Sequence, residues 1–325
     1  MKNNDYSLSV VVIGKNEASG IERLHRSILP LKLLTNTEFI YVDSASTDNS
    51  VALAQKGFDK VVVLSEHRNL CASAGRFVGV RCSKGAWILF LDGDMELNSG
   101  VIDKIIQITS SDSIGIVGYV GSYQNYYDDG SVDVWEPMLC ANGVEHFGGA
   151  VLLKSDAFMA ENWNPRLFAK EEIDLHSRMR SHGLIVGKID DIFIHHHTKR
   201  FSVWEKLGGN FYPKNSYLGK KFYGFGQLVL SRFLDKNIGS LVMAMPEPFV
   251  FITLLFVAML FVLSGNLFFG GFLLFVAAVY VLMRKSPRYL LIYVSYISQF
   301  CFGAFKYDRN WVPEVKATYS VDINK

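Results

Sequence analysis

The 325 residues carry 33 Lys and Arg against 31 Asp and Glu, a net charge of +2, so the chain as a whole is no polyanion binder and no nucleic-acid partner is expected. Four cysteines (Cys71, Cys82, Cys140 and Cys301) form no Cys-x-x-Cys pair, which speaks against a zinc site or a disulfide framework and suits a reducing compartment. Half the residues are hydrophobic and the mean hydropathy is +0.18, but the excess is local: positions 248–283 contain no charged residue.

The first nine residues are polar and show no signal-peptide pattern, so the segments that follow are expected in the cytoplasm. A β-branched strand over 8–13 leads into the loop Gly14-Lys15-Asn16-Glu17. A helix over 18–28 places Ile21, Leu24 and Ile28 on one face and is expected to end at Pro30. A second strand over 37–42 precedes the polar loop Asp43–Asp48, where Thr47 or Asp48 would cap a helix over 49–56. A third strand follows over 60–64, then a helix over 71–82 that contains Arg76.

Next comes Trp87-Ile88-Leu89-Phe90-Leu91, five large apolar residues that stop at Asp92-Gly93-Asp94. Such a run suits a strand buried on both faces, as in the middle of a parallel sheet. The alternation of strand and helix up to this point predicts a doubly wound, mostly parallel α/β sheet. Ligands of such sheets bind beyond the carboxyl ends of the strands, where Glu17, Asp43, Asp92 and Asp94 would meet. Gly93 permits a tight turn, so Asp92 and Asp94 can face one point and offer hard oxygens to Mg²⁺ or Mn²⁺ shared with a phosphate. No Gly-x-Gly-x-x-Gly follows the first strand and no Walker lysine loop occurs, which argues against a dehydrogenase and a P-loop NTPase.

A helix over 99–110 and a strand over 114–120 are followed by an aromatic-rich stretch, 123–145, expected to be irregular. Phe147-Gly148-Gly149-Ala150 enters a short strand ending near Leu153, and its paired glycines, Gly149 included, would let backbone approach a ligand closely. A helix over 171–183 begins with Glu171 and Glu172, where a helix N-terminus favours carboxylates; they are either caps or a general base on a rigid platform. A strand over 185–194 runs into His195-His196-His197, and period two would put His195 and His197 on one face, as metal ligands or as part of a polar loop.

Between Lys199 and Lys236 lie eight Lys or Arg against Glu205 and Asp235, a basic belt before the apolar block. Positions 249–263 hold one polar residue, Thr253, and 267–283 hold none, with Ser264-Gly265-Asn266 between them. Each approaches the roughly 20 residues that span a bilayer, and basic flanks on both sides predict a transmembrane hairpin with both ends in the cytoplasm. A third apolar segment, 289–305, would span or lie in the interface; if it spans, the tail lies outside. The expected division is 1–200, 201–246, 247–284 and 285–325.

In order, Val10–Glu17, Tyr41–Ser50, Ala74-Gly75-Arg76, Asp92-Gly93-Asp94, Phe147–Ala150 and Glu171–Arg178 resemble the family 2 glycosyltransferases of GT-A fold, in their membrane-bound bacterial form with C-terminal transmembrane helices. The resemblance covers about 7–198. It implies a GT-A nucleotide-binding fold with a C-terminal helical membrane region, and a nucleoside-diphosphate sugar, UDP- or GDP-linked, as donor. It implies that Glu17 and Asp43 hold the nucleoside, that Arg76 lies near base or diphosphate, and that Asp92 and Asp94 bind ribose and a divalent cation. His195 or His197 would match a third metal ligand. The family's Glu-Asp base motif stands here as Glu171-Glu172, which leaves the choice of base between them open. The Gln-x-x-Arg-Trp motif of processive members is absent, so a single addition is expected.

The expected function is therefore inverting transfer of a sugar to a lipid-linked acceptor at the cytoplasmic face of the inner membrane, for cell-surface polysaccharide or glycolipid assembly. A polyprenyl phosphate is the alternative acceptor. A nucleotidyltransferase or a non-catalytic membrane scaffold are the alternatives of other classes.

Overall fold

The computed structural model describes residues 6–34, 36–111, 115–140, 143–145, 147–159, 162–200, 217–284 and 303–320. The chain divides into two compact units, one of Met1–Leu167, Glu171–Arg200 and Asn310–Lys325, the other of Phe168–Lys170 and Phe201–Arg309.

In the first unit the strands are β1 (Tyr6–Gly14), β2 (Thr37–Asp43), β3 (Lys60–Leu64), β4 (Gly85–Asp92), β5 (Met95–Leu97), β6 (Ile116–Tyr127), β7 (Val132–Trp135), β8 (Leu139–Cys140), β9 (Gly143–Val144), β10 (Val151–Lys154), β11 (Ile185–Thr198) and β12 (Val315–Ser320). Its helices are α1 (Ile21–Leu34), α2 (Ser50–Ala54), α3 (Ala72–Cys82), α4 (Ile102–Ser110), α5 (Ser155–Met159) and α6 (Glu171–Ser181). Among the described residues the main sheet runs β12-β3-β2-β1-β4-β10-β6-β11-β5, with β7 on β6. The central strands are apolar on both faces because both faces are covered. Val10, Val12, Phe39, Tyr41, Leu89 and Leu91 enter one core, and Val11, Ile13, Ile40, Val42, Ile88 and Phe90 enter the other.

The sheet is mixed rather than mostly parallel. β3, β2, β1 and β4 pair in parallel, as do β6 and β11, but β10 runs antiparallel to both β4 and β6. The described elements between β6 and β10 are short strands and contain no crossover helix, so the chain returns in the opposite direction. Two expectations for local structure also change. α1 continues through Pro30 to Leu34, its last turns held by Ile28 and Leu31, both fully buried. The stretch 123–145 is largely ordered: β6 continues to Tyr127 and pairs with β7 from Tyr123↔Trp135 to Tyr126↔Val132, around a turn containing Asp129-Gly130.

β12 lies beyond the apolar segments in sequence yet pairs antiparallel with β3, from Val315↔Leu64 to Ser320↔Lys60. Val315–Ser320 therefore belongs to the same sheet as β1–β4.

The second unit contains α7 (Tyr217–Leu234), α8 (Ile238–Ala244), α9 (Pro246–Leu263) and α10 (Leu267–Arg284). α9 and α10 form a hairpin about Ser264-Gly265-Asn266, with Phe261 and Phe269 rings 5.0 Å apart. Its outside is apolar: Phe256, Leu263, Leu267, Phe268 and Phe275 are all exposed. Among the described residues no single helix is long and apolar enough to cross a membrane. Ile238–Ala244 and Pro248–Leu263, bent by 102°, reach that length and composition only as a pair. Most of the third apolar segment and the first part of the basic belt lie outside the described residues.

Candidate active site

Parallel pairing brings the strand ends together. β1 sets Gly14 beside Asp43 of β2 and Ile13 beside Asp92 of β4. The loops after β1 and β2 are then latched to each other. Asn16 N donates to Ser46 Oγ at 2.8 Å, Thr47 N to Asn16 Oδ1 at 2.8 Å, and Glu17 N to Ser50 Oγ at 2.8 Å. Asp43 is fully buried, and its carboxylate accepts from Ser46 N at 2.7 Å and from the Ser46 hydroxyl. Asp48 accepts from Ser50 N and from Ala18 N, while the N-cap position of α2 falls to Asn49, not to Thr47 or Asp48 as expected, and makes no capping bond.

The turn at Gly93 is fixed by Gly93 N donating to Ile13 O at 2.8 Å. A Cβ on Gly93 would stand 2.6 Å from Glu17 Cγ, so the side chain of Glu17 lies against this turn. Burial, followed by the carboxylates of Asp94, Asp92 and Asp48, pushes the Glu17 carboxyl up to about 7.

Arg76 on α3 is 1% exposed and joins two carboxylates. Nη2 donates to Asp92 Oδ1 at 2.6 Å and Nη1 to Glu171 Oε1 at 2.9 Å, with the Trp163 ring 5.0 Å beneath. A Cβ on Gly149 would stand 2.4 Å from Arg76 Nη2 and 2.8 Å from Asp92 Oδ2, so only glycine lets that backbone lie on the ion pair. Glu171 is buried, and burial and the neighbouring Glu172, opposed by Arg76, push it up to about 7. Glu172 is half-buried, and among the described residues no hydrogen bond engages its carboxylate. One turn of helix thus presents a tethered carboxyl and an untethered one.

The histidines are placed otherwise than expected. His195 and His197 do share a face, both rings packing on Tyr126 at 5.6 and 5.4 Å, but it is the face turned from Asp94. His195 Nε2 meets Asn98 Nδ2 at 3.1 Å, and His197 Nε2 meets Glu96. His196 is the residue at Asp94, with Nε2 3.3 Å from Oδ2. β5 continues from the Asp92–Asp94 turn with Met95 opposite His196, and His197 N donates to Asp94 O at 2.9 Å, which holds this end of β11 against the turn. His196 Nδ1 lies 2.9 Å from Asn125 Oδ1, an acceptor only, so Nδ1 carries a proton there and the ring is held with Nε2 toward Asp94.

Among the described residues no three His, Cys, Asp or Glu side chains are grouped to hold a metal. Asp94 Oδ1 is nevertheless buried without a hydrogen-bond partner. An orphan carboxylate oxygen beside an oriented imidazole fits one edge of a Mg²⁺ or Mn²⁺ site, whose other positions commonly go to phosphate oxygens and water. Sequence reasoning missed His196, Asn125 and Trp163. His196 could be found only by weighing all three histidines, and Trp163 carries no local signal.

Residues 9–166 match the family model for Glycosyl transferase family 2. An uncharacterized glycosyltransferase of Haemophilus influenzae is 34% identical over 101 residues, 31% of this chain and 34% of that protein. Cholesterol galactosyltransferase of Borreliella burgdorferi is 25% identical over 114 residues, 34% of this chain and 32% of that protein. The chain thus spans about a third of the length of these curated relatives. Among solved structures, a mannosyltransferase of Pyrobaculum calidifontis in complex with GDP-Man and Mn²⁺ superposes with a TM-score of 0.54 at 12% identity, covering 90% of this chain and 87% of that one. At that identity the likeness is one of fold, an α/β GT-A-like sheet.

Proposed function

We propose that this chain is an inverting glycosyltransferase that moves a sugar from a nucleoside-diphosphate sugar to a lipid-linked hydroxyl at the cytoplasmic face of the inner membrane, one addition at a time. The observation that carries the reading is the cluster at the strand ends: Asp94 with an orphan oxygen beside His196, and Glu172 left untethered while Arg76 holds Glu171. The match of residues 9–166 to the family model supports the reaction class.

Asp94 and His196 would hold a divalent cation, with Asp92 beside them. Bound there, it would neutralise the diphosphate and make it a competent leaving group. Arg76 fixes Asp92 at the nucleotide side, and the loops latched through Asn16, Ser46 and Ser50 frame the nucleoside near Asp43 and Glu17. Glu172 takes the proton of the acceptor hydroxyl as that oxygen bonds to the anomeric carbon. The bond from that carbon to the diphosphate breaks, its electron pair leaving with the nucleoside diphosphate. One displacement inverts the configuration.

A lipid-linked acceptor and a membrane location are supported by the apolar exterior of the α9–α10 hairpin. A relative named for transfer to cholesterol is consistent with them. A single addition is supported by the lack of the Gln-x-x-Arg-Trp motif. The test is a melt of the full chain with UDP- and GDP-sugars and Mn²⁺ or Mg²⁺, then product analysis in lipid extract. Release of free nucleoside diphosphate with a glycosylated lipid is expected. Pyrophosphate would mean a nucleotidyltransferase, and no nucleotide-dependent shift would mean a scaffold. A polyprenyl phosphate acceptor, already ionised, would leave Glu172→Gln active.

A further inference from the structure

The segment 310–320 follows the apolar helices in sequence but belongs to the first unit. It does more there than extend the sheet. Ser65 N donates to Glu314 O at 2.8 Å, so its pairing continues past the end of β3 into the loop 65–71. In that loop the His67 imidazole stacks on the Trp311 indole, with centroids 5.4 Å and planes 16° apart. The loop's own turn also hangs on His67, whose carbonyl accepts from Leu70 N at 3.1 Å and whose Nδ1 accepts from Asn69 N at 3.1 Å.

The loop leads into α3, and the start of α3 has no capping side chain of its own: Cys71 stands at the N-cap without making such a bond. Its first turn is held instead by residues 162–167. Ser73 Oγ donates to Asn164 O at 2.6 Å, and Cys71 Sγ to Pro165 O at 3.3 Å. Trp163 of the same segment is buried beneath Arg76. Arg166 Nε donates to Trp311 O at 3.1 Å. Trp311 therefore joins the two pieces of chain that fix an uncapped helix start, and that helix carries Arg76 to Asp92 and Glu171.

We infer that Trp311 is a positioning residue of the donor site: its indole acts through His67 and the loop 65–71, and its main-chain carbonyl through Arg166, on the start of α3 and so on Arg76. This rests on the donor-site reading above. A strand that only covered a sheet edge would protect against aggregation and add stability, and would leave nucleotide affinity alone.

The experiment measures the dissociation constants of UDP and GDP with Mn²⁺ on the full chain, at a temperature where every variant is folded. Trp311→Ala weakens binding of the nucleotide the wild type prefers by about tenfold or more, and Trp311→Phe, which keeps an aromatic face on His67, restores it to within about threefold. Should Trp311→Ala fail to fold, Arg166→Lys, which lacks the Nε donor and keeps the charge, carries the same expectation. A folded variant with a lowered Tm and unchanged nucleotide affinity overturns the inference and leaves the proposed function standing. A wild type that binds neither nucleotide overturns both.

Discussion

Arg76 Nη1 donates to Glu171 Oε1 at 2.9 Å, and that bond gives two adjacent glutamates different surroundings. Glu171 is turned inward to a buried cation, while Glu172 remains half-buried and unengaged by any hydrogen bond among the described residues. Glu172→Gln should therefore lower kcat by about 10²- to 10⁴-fold, the usual contribution of a general base, with little change in donor affinity. Glu171→Gln should cost less than about tenfold, because glutamine keeps an acceptor for Arg76. Steady-state kinetics on the two variants checks the assignment, and equal losses would sink it.

The same pair predicts a pH dependence of stability. The folded state holds Glu171 up to about 7 against an ordinary 4.5, so between those values it binds a proton that the unfolded chain releases. Stability from this group is full below the unfolded value and is lost as pH rises through about 7. Thermal melts between pH 5 and pH 8 should slope downward in the wild type and less steeply in Glu171→Gln. Parallel profiles would remove Glu171 from the account. Replacing Arg76 by Met is a different perturbation, since it leaves Asp92 and Glu171 without their buried cation; it should destabilise by about 3–5 kcal/mol.

Asn125 offers a test of the metal reading that leaves the metal's own ligands untouched. Its Oδ1 holds the His196 ring in place, so Asn125→Ala should weaken Mn²⁺ binding by about 10- to 100-fold, and His196→Ala at least as much. His195→Ala and His197→Ala should change Mn²⁺ affinity little, their rings lying on the Tyr126 face. Titration of Mn²⁺ followed by paramagnetic relaxation reads this directly. A His195 effect larger than the His196 effect would reverse the placement.

These contrasts mark what the sequence could and could not disclose. Val10–Val12 and Leu89–Leu91 are apolar without alternation because both faces of the central sheet are covered, so their burial and the position of Asp92 at a strand end were legible from the residues alone. The Tyr126-Tyr127-Asp128-Asp129-Gly130 turn also carries a hairpin signal, and the aromatic density around it hid that signal. Other features were not local. The period of two correctly joined His195 with His197, but it is His196 whose ring meets Asp94, and that contact joins parts of the chain far apart in sequence. Arg76 and Glu171 are 95 residues apart, and no spacing rule reaches between them. Pro30 failed as a helix stop because core packing of Ile28 and Leu31 outweighed the lost hydrogen bond.

The pairing of β12 with β3 constrains where the chain can go between them. Thr318 stands opposite Val62 and Tyr319 opposite Val61, so Val315–Ser320 lies in the sheet that also contains Tyr6–Gly14. If the α9–α10 hairpin enters a bilayer, the chain must cross an even number of times between residues 200 and 310. Reporters that fluoresce only in the cytoplasm should therefore agree when fused before Met1 and after Lys325. A bilayer crossing by only one of the apolar segments would put the two reporters on opposite sides, and β12 could not then hydrogen-bond to β3. Opposite signals from a protein that still binds its nucleotide would mean that the last strand is dispensable to the donor site. Matching signals, lost together with nucleotide affinity when residues 311–325 are deleted, would tie the strand to both the topology and the site.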